Sequence, residues 1–275
     1  METSITISAN GSKFAPILLS GDYVQQIPIA ASLGFKAAEL HIQDPNTINR
    51  SEIFEALRRN HMRVSTIGTG QAYVDEGLSF SNPEASIRER AVQRIKDQIV
   101  LAGEWQAKVI IGTIKGRMPE NAEDKAIALE HVRACFKECL AFAEKYQTDL
   151  TLEAINRYET NFLNTAQETV AFIKEMASPR LGLHLDTFHM NIEEASIEDT
   201  LREFAPYLVH VHVADSNRWA PGLGHLDFER IVQVLKDINY QGVLGIECLP
   251  KPDPLTAAKQ GFACFQSLLE STLNK

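Results

Sequence analysis

The chain has 275 residues, of which 44% are hydrophobic and 23% charged, a composition ordinary for a globular protein and a length sufficient for one sizeable core. Its 27 basic and 36 acidic residues give a net charge of −9, which argues against a nucleic-acid backbone as partner, since that partner needs a positive face. A small anionic substrate is not excluded, because a few local arginines suffice to meet it.

No apolar run approaches the roughly 20 residues that a membrane-spanning helix needs. Met1-Glu2-Thr3-Ser4 lacks the basic and apolar segments of a secretory signal. A cytoplasmic protein without a membrane partner is the expectation. Cys135 and Cys139 stand four apart within a helical pattern, and Cys248 and Cys264 stand alone, so none has CxxC spacing. Core or reduced surface thiols follow.

Short β-branched apolar runs alternate with longer amphipathic segments along the chain. Strands are expected at residues 5–8, 37–41, 63–67, 109–112, 150–153, 181–186, 209–213 and 243–247. Between them, residues 86–104 put Ile87, Ala91, Ile95, Ile99 and Ala102 on one helical face, and 129–146, 165–176 and 228–238 read likewise. Pro83 and Pro119 precede helices, and Asn164-Thr165-Ala166-Gln167 offers an N-cap. Alternating strands and helices imply parallel pairing through right-handed crossovers. Eight such units in 275 residues predict one (β/α)8 TIM barrel, a single α/β domain over residues 1–275. An open doubly wound sheet is the alternative, but no GxGxxG follows an early strand.

A TIM barrel draws its catalytic groups from the C-terminal ends of its strands. Four expected strands carry a potential ligand at or next to their last residue: Glu153, Asp186, His212 and Glu247. Three carboxylates and one imidazole form an oxygen-rich set that suits Mn²⁺, Mg²⁺ or Co²⁺ better than a metal that prefers thiolates. In His210-Val211-His212, alternation is expected to turn one imidazole into the barrel and the other toward the helices, with His212 the ligand. His184 shares the face of Asp186 but lies deeper. Further polar groups stand in the expected loops Asn156-Arg157-Tyr158-Glu159-Thr160, Thr187-Phe188-His189-Met190-Asn191 and Asp215-Ser216-Asn217-Arg218-Trp219-Ala220-Pro221-Gly222.

These strings, with Ile67-Gly68-Thr69-Gly70-Gln71-Ala72-Tyr73, resemble the xylose isomerase-like TIM barrels. Within them the likeness is to the D-tagatose 3-epimerase group, most of all the 5-keto-L-gluconate epimerase type. The resemblance implies one divalent metal, Mn²⁺ foremost with Co²⁺ or Mg²⁺ as alternatives, held by Glu153, Asp186, His212 and Glu247. It also implies substrate contacts from Glu159, His189 and Arg218, and a homo-oligomer, dimer or tetramer, for which Trp105 and Trp219 are interface candidates. Residues 9–16 lack the aromatic-rich start of the better-known ketose epimerases, and residues 68–73 also differ from theirs.

The implied chemistry is removal of the proton beside a ketone and its return to the opposite face, with Glu153 and Glu247 as acid and base. The substrate the resemblance implies is a keto-sugar acid or ketose; Lys115, Arg117 and Arg157 are candidates to meet a distant carboxylate. An aldose–ketose isomerase or a dehydroshikimate-type dehydratase would use the same metal site. A non-catalytic sugar-binding barrel is the alternative of another class.

Overall fold

The computed structural model describes residues 1–10 and 16–270, so most of the 9–16 loop lies outside the described residues. Among these, nine strands form: Glu2–Ser8 (β1), Leu19–Ser20 (β2), Ala37–His41 (β3), Arg63–Gly68 (β4), Lys108–Ile111 (β5), Leu150–Glu153 (β6), Leu181–Asp186 (β7), Leu208–Val213 (β8) and Val243–Ile246 (β9). They are the eight expected strands, three with the expected bounds, plus the two-residue β2. Their hydrogen-bonded order is β2-β1-β3-β4-β5-β6-β7-β8-β9, and β9 also pairs with β1, so the sheet closes on itself.

The chain divides into two compact units. The first comprises Met1–Leu40, Asn49–Ser65 and Leu185–Lys275. In it β1 pairs in parallel with β9, Ile5 opposite Ile246, and β8 with β9, Val213 opposite Ile246. That register brings His212, opposite Gly245, to within two residues of the level of Glu247, which follows β9 directly. Ile5, Ile7, Val211, Val213, Leu244 and Ile246 are fully buried, as expected of parallel strands covered on both faces. The helix Phe228–Asp237 begins at Asp227, whose side chain accepts from the Arg230 N–H, and buries Phe228, Ile231, Val232, Val234 and Leu235.

The second unit comprises His41–Ile48 and Thr66–His184. Here β5 pairs with β6, Ile111 opposite Leu152, and β6 with β7, Glu153 opposite His184. Its helix Ala166–Met176 carries a capping box, Thr165 and Glu168 each satisfying the other's backbone N–H. The helix Ala122–Tyr146 starts seven residues before the expected 129, because Asn121 caps a polar first turn that shows no apolar period. Phe80, Phe136 and Phe172 meet edge to face, with ring centroids 5.4 and 5.0 Å apart. Truncating fully buried Phe136 to Ala would cost about 3–5 kcal/mol. Trp105 is only 8% exposed at the end of its helix, so packing rather than an interface accounts for it. All four cysteines are free thiols, three of them buried. No helix among the described residues is long and apolar enough to cross a membrane.

Candidate active site

In the first unit, the strand ends gather charge in a place closed to water. Asp186 is fully buried, His212 is 1% exposed and Glu247 8%. Each offers one ligand atom, and these atoms lie within 4.8 Å of one another. Residues 187–191, expected as loop, begin a helix instead, Thr187–Glu193, because Asp186 caps it: Oδ1 accepts the Phe188 N–H at 2.8 Å. The same carboxylate leaves Oδ2 buried and without a hydrogen-bond partner among the described residues. His189, 3% exposed, brings its Nε2 to 3.8 Å from that Oδ2, beyond hydrogen-bond range.

His210 and His212 both reach one carboxylate, which corrects the expectation that they point to opposite faces. Residues two apart on a strand share a face. The Oε2 of Glu39, a fully buried residue of β3, lies 2.8 Å from His212 Nε2 and 3.3 Å from His210 Nε2. His212 Nδ1 lies 3.5 Å from Glu247 Oε2, on the other side of the ring. Glu39 is not among the site residues the sequence motifs indicate, although a carboxylate inside the apolar run Ala37-Ala38-Glu39-Leu40 demands a buried partner.

Arg218 stands in the same unit. Its guanidinium stacks over the Phe188 ring at 4.8 Å, and Nη2 lies 3.5 Å from Glu247 Oε2. Its backbone N–H donates to the Asp215 carbonyl at 2.8 Å, and its own carbonyl accepts the Leu249 N–H at 2.8 Å.

The second unit holds Glu153, 7% exposed at the end of β6. A Cβ on Gly112, beyond the end of the neighbouring β5, would lie 2.8 Å from Glu153 Oε2, so only glycine leaves the carboxylate its position. Lys115 is fully buried, and its Nζ donates to the Glu153 carbonyl at 3.0 Å and to the Gly112 carbonyl at 3.4 Å. It is therefore no surface cation awaiting a substrate carboxylate. Glu159 stands exposed on the turn after β6, where its Oε1 accepts from Asn156 Nδ2 at 3.0 Å. Arg117 is exposed and donates through Nη1 to the Glu159 carbonyl at 3.1 Å.

The donor chemistry of the first unit fits a divalent cation. Burial pushes the Asp186 carboxyl well above the usual carboxylate range, and the Glu247 carboxylate adds to this against Arg218 and His212. Burial alone would lower the His212 pKa, but the Glu39 and Glu247 carboxylates outweigh it and hold the imidazole well above its ordinary value. Both shifts mark a crowd of buried carboxylates that favours added positive charge, which a divalent cation would supply.

A family model described as "Xylose isomerase-like TIM barrel" matches residues 27–268. A D-psicose 3-epimerase of Enterocloster bolteae is 32% identical over 238 residues, 82% of this chain and 76% of that protein. One from Agrobacterium fabrum is 30% identical over 237 residues, 82% of this chain and 78% of that protein. The structure of a D-psicose 3-epimerase with D-tagatose from Clostridium cellulolyticum H10 superposes with a TM-score of 0.81 at 25% identity, covering 98% of this chain and 99% of the other. Those relatives are epimerases, enzymes of the isomerase class. The chain is an isomerase that belongs to the xylose isomerase-like TIM barrel family.

Proposed function

We propose that this enzyme is a divalent-metal-dependent epimerase that inverts the carbon beside the ketone of a ketose or keto-sugar acid. The observation that carries the reading is the buried Asp186 Oδ2, without a hydrogen-bond partner among the described residues, beside His212 and Glu247. Glu153, at the C-terminal end of β6, is the fourth ligand in this reading, because barrel strands present their C-terminal ends at one face. Mn²⁺ is the cation we favour for so oxygen-rich a set.

A proton on carbon beside a ketone is weakly acidic, so the enediolate left by its removal needs stabilising. A bound divalent cation supplies positive charge to that oxyanion. Glu153 and Glu247 then work from opposite faces of the planar intermediate, one carboxylate taking the proton while the other, protonated, returns one. Arg218 and His189 hydrogen-bond the substrate oxygens, and Glu159 orients the sugar. The stacking of Arg218 on Phe188 and the burial of His189 support these roles, since both groups are held in place before substrate arrives.

Turnover of 2-ketoses and keto-sugar acids with Mn²⁺ in D₂O tests this. Deuterium at the inverted carbon is expected. Deuterium on the adjacent carbon would mean an aldose–ketose isomerase, and loss of water a dehydratase. A chelator should abolish turnover and Mn²⁺ or Co²⁺ restore it; full activity in protein free of metal by elemental analysis would overturn the mechanism.

A further inference from the structure

We propose that Asp215 is the positioning residue for Arg218, its buried carboxylate folding the loop after β8 into a frame that sets the guanidinium beside Glu247 in advance of substrate. The inference rests on Arg218 being a substrate contact, as proposed above.

Asp215 lies just beyond β8 on the surface-bound loop, yet it is fully buried. Its Oδ1 accepts the backbone N–H of Ser216 at 2.8 Å and that of Leu226 at 3.1 Å, while Oδ2 accepts that of Gly222 at 2.9 Å. Peptide groups spread over eleven residues thus converge on one side chain. Such a carboxylate organises a loop as a metal ion would, from the inside. Its own backbone closes the ring, the N–H donating to the Trp219 carbonyl at 2.9 Å and the carbonyl accepting from Arg218. Gly224 leaves the space this needs, since a Cβ there would stand 2.1 Å from Asp215 Oδ1.

The consequence falls on Arg218. Its φ is 61°, in the left-handed region that residues with side chains hold only where their surroundings over-determine it. Here the surroundings do so: Asp215 fixes the peptide before Arg218, and the Leu249 N–H holds the carbonyl after it. That turn directs the side chain over Phe188 and toward Glu247. An arginine loses much rotamer freedom on binding a ligand, and a backbone that pre-aims it removes part of that loss. The arrangement has a direction: the Asp215 frame acts on substrate only through Arg218.

A double-mutant cycle tests it, with Asp215→Asn made in the wild type and in Arg218→Ala. Asparagine keeps the volume but loses the charge. We expect Asp215→Asn to lower kcat/KM by about 10- to 100-fold in the wild type and by less than about twofold in Arg218→Ala, the signature of coupled positions. Amide hydrogen exchange at Ser216, Gly222 and Leu226 should quicken in Asp215→Asn and stay unchanged in Arg218→Ala. Equal losses of kcat/KM in both backgrounds would overturn the proposal, leaving Asp215 a general structural residue. Unchanged amide protection in Asp215→Asn would overturn it too. Should Asp215→Asn fail to fold, Gly224→Ala, which crowds the same carboxylate, takes its place in the cycle. If the wild type turns over no ketose or sugar acid, the functional reading fails, while the exchange measurement still decides whether Asp215 holds the loop.

Discussion

Glu39 Oε2 stands 2.8 Å from His212 Nε2, so the imidazole is held from behind while its Nδ1 faces Glu247. With a cation bound as proposed, a carboxylate in that position would fix the tautomer: Nε2 would donate its proton to Glu39, and Nδ1 would offer its lone pair to the cation. Removing the charge should therefore weaken metal binding without touching any of the four proposed ligands. Glu39→Gln is expected to raise the Mn²⁺ dissociation constant by about 10- to 100-fold, measured by calorimetry. Unchanged affinity would show that His212 is oriented by other neighbours.

Much of this was legible in the sequence, and the parts that were not share a cause. Strand ends at Glu153 and Asp186 were readable because apolar runs end on a carboxylate there. Glu39 is open to the same logic, but the histidine pair that meets its carboxylate lies 171 and 173 residues away, and no local pattern links them. The His210/His212 expectation failed against the two-residue period itself. Lys115 reads as an exposed cation just past a strand; its burial follows from the turn at Gly116, whose φ is 92° and which packs against Ser79 and Ser81. The Asp215 frame depends on backbone dihedrals, above all that of Arg218, which side-chain pattern does not encode.

The two-base assignment predicts that Glu153→Gln and Glu247→Gln each lower kcat by about 10² to 10⁴. Glutamine still offers an oxygen, so the variants should bind metal measurably. If one of them kept substantial epimerisation with metal bound, a single carboxylate would be doing both transfers.

Gly112→Ala probes the same glutamate without altering it. The new Cβ, 2.8 Å from Glu153 Oε2, must displace the carboxylate or the strand end. Overpacking of this kind costs about 1–3 kcal/mol of stability, read by urea unfolding. Activity should fall at least about tenfold, as expected when a reacting group is misplaced by a fraction of an ångström. A variant as stable and as active as the parent would mean that Glu153 has room to move.

Asp215 carries a pH prediction. Burial raises its pKa, but the N–H groups of Ser216, Leu226, Gly224 and Gly222 outweigh burial and hold the carboxyl below its ordinary value. The folded pKa is thus lower than the ~3.9 of an unfolded aspartate. Stability from this group is present above about pH 4 and lost as pH falls through the folded value. The stability difference between the wild type and Asp215→Asn, expected at about 1–3 kcal/mol from the unsatisfied amides, should be constant from about pH 6 to 8 and shrink in acid. A difference that grew on acidification would contradict the sign.

The choice between sugar acid and free ketose turns on which cation meets the far end of the substrate. Lys115 is excluded by its burial and its bond to the Glu153 carbonyl. A phosphate is disfavoured because Cys248-Leu249-Pro250 follows β9, where a phosphate-binding barrel needs consecutive backbone N–H groups. Arg117 and Arg157 are left, both exposed, and Arg117 already binds the carbonyl of Glu159, the residue proposed to orient the sugar. On this basis kcat/KM should be higher for 5-keto-L-gluconate or D-tagaturonate than for D-tagatose, D-fructose or their phosphates. A charge-assisted hydrogen bond contributes about 1.5–3 kcal/mol, so Arg117→Met should cost the sugar acids roughly 10- to 100-fold and change the free ketoses by less than about twofold. Because the D-psicose 3-epimerases it resembles are named for a free ketose, the opposite ranking is a meaningful outcome. Higher efficiency on the hexuloses, together with equal losses on both classes in Arg117→Met, would make this a ketose epimerase with no carboxylate subsite.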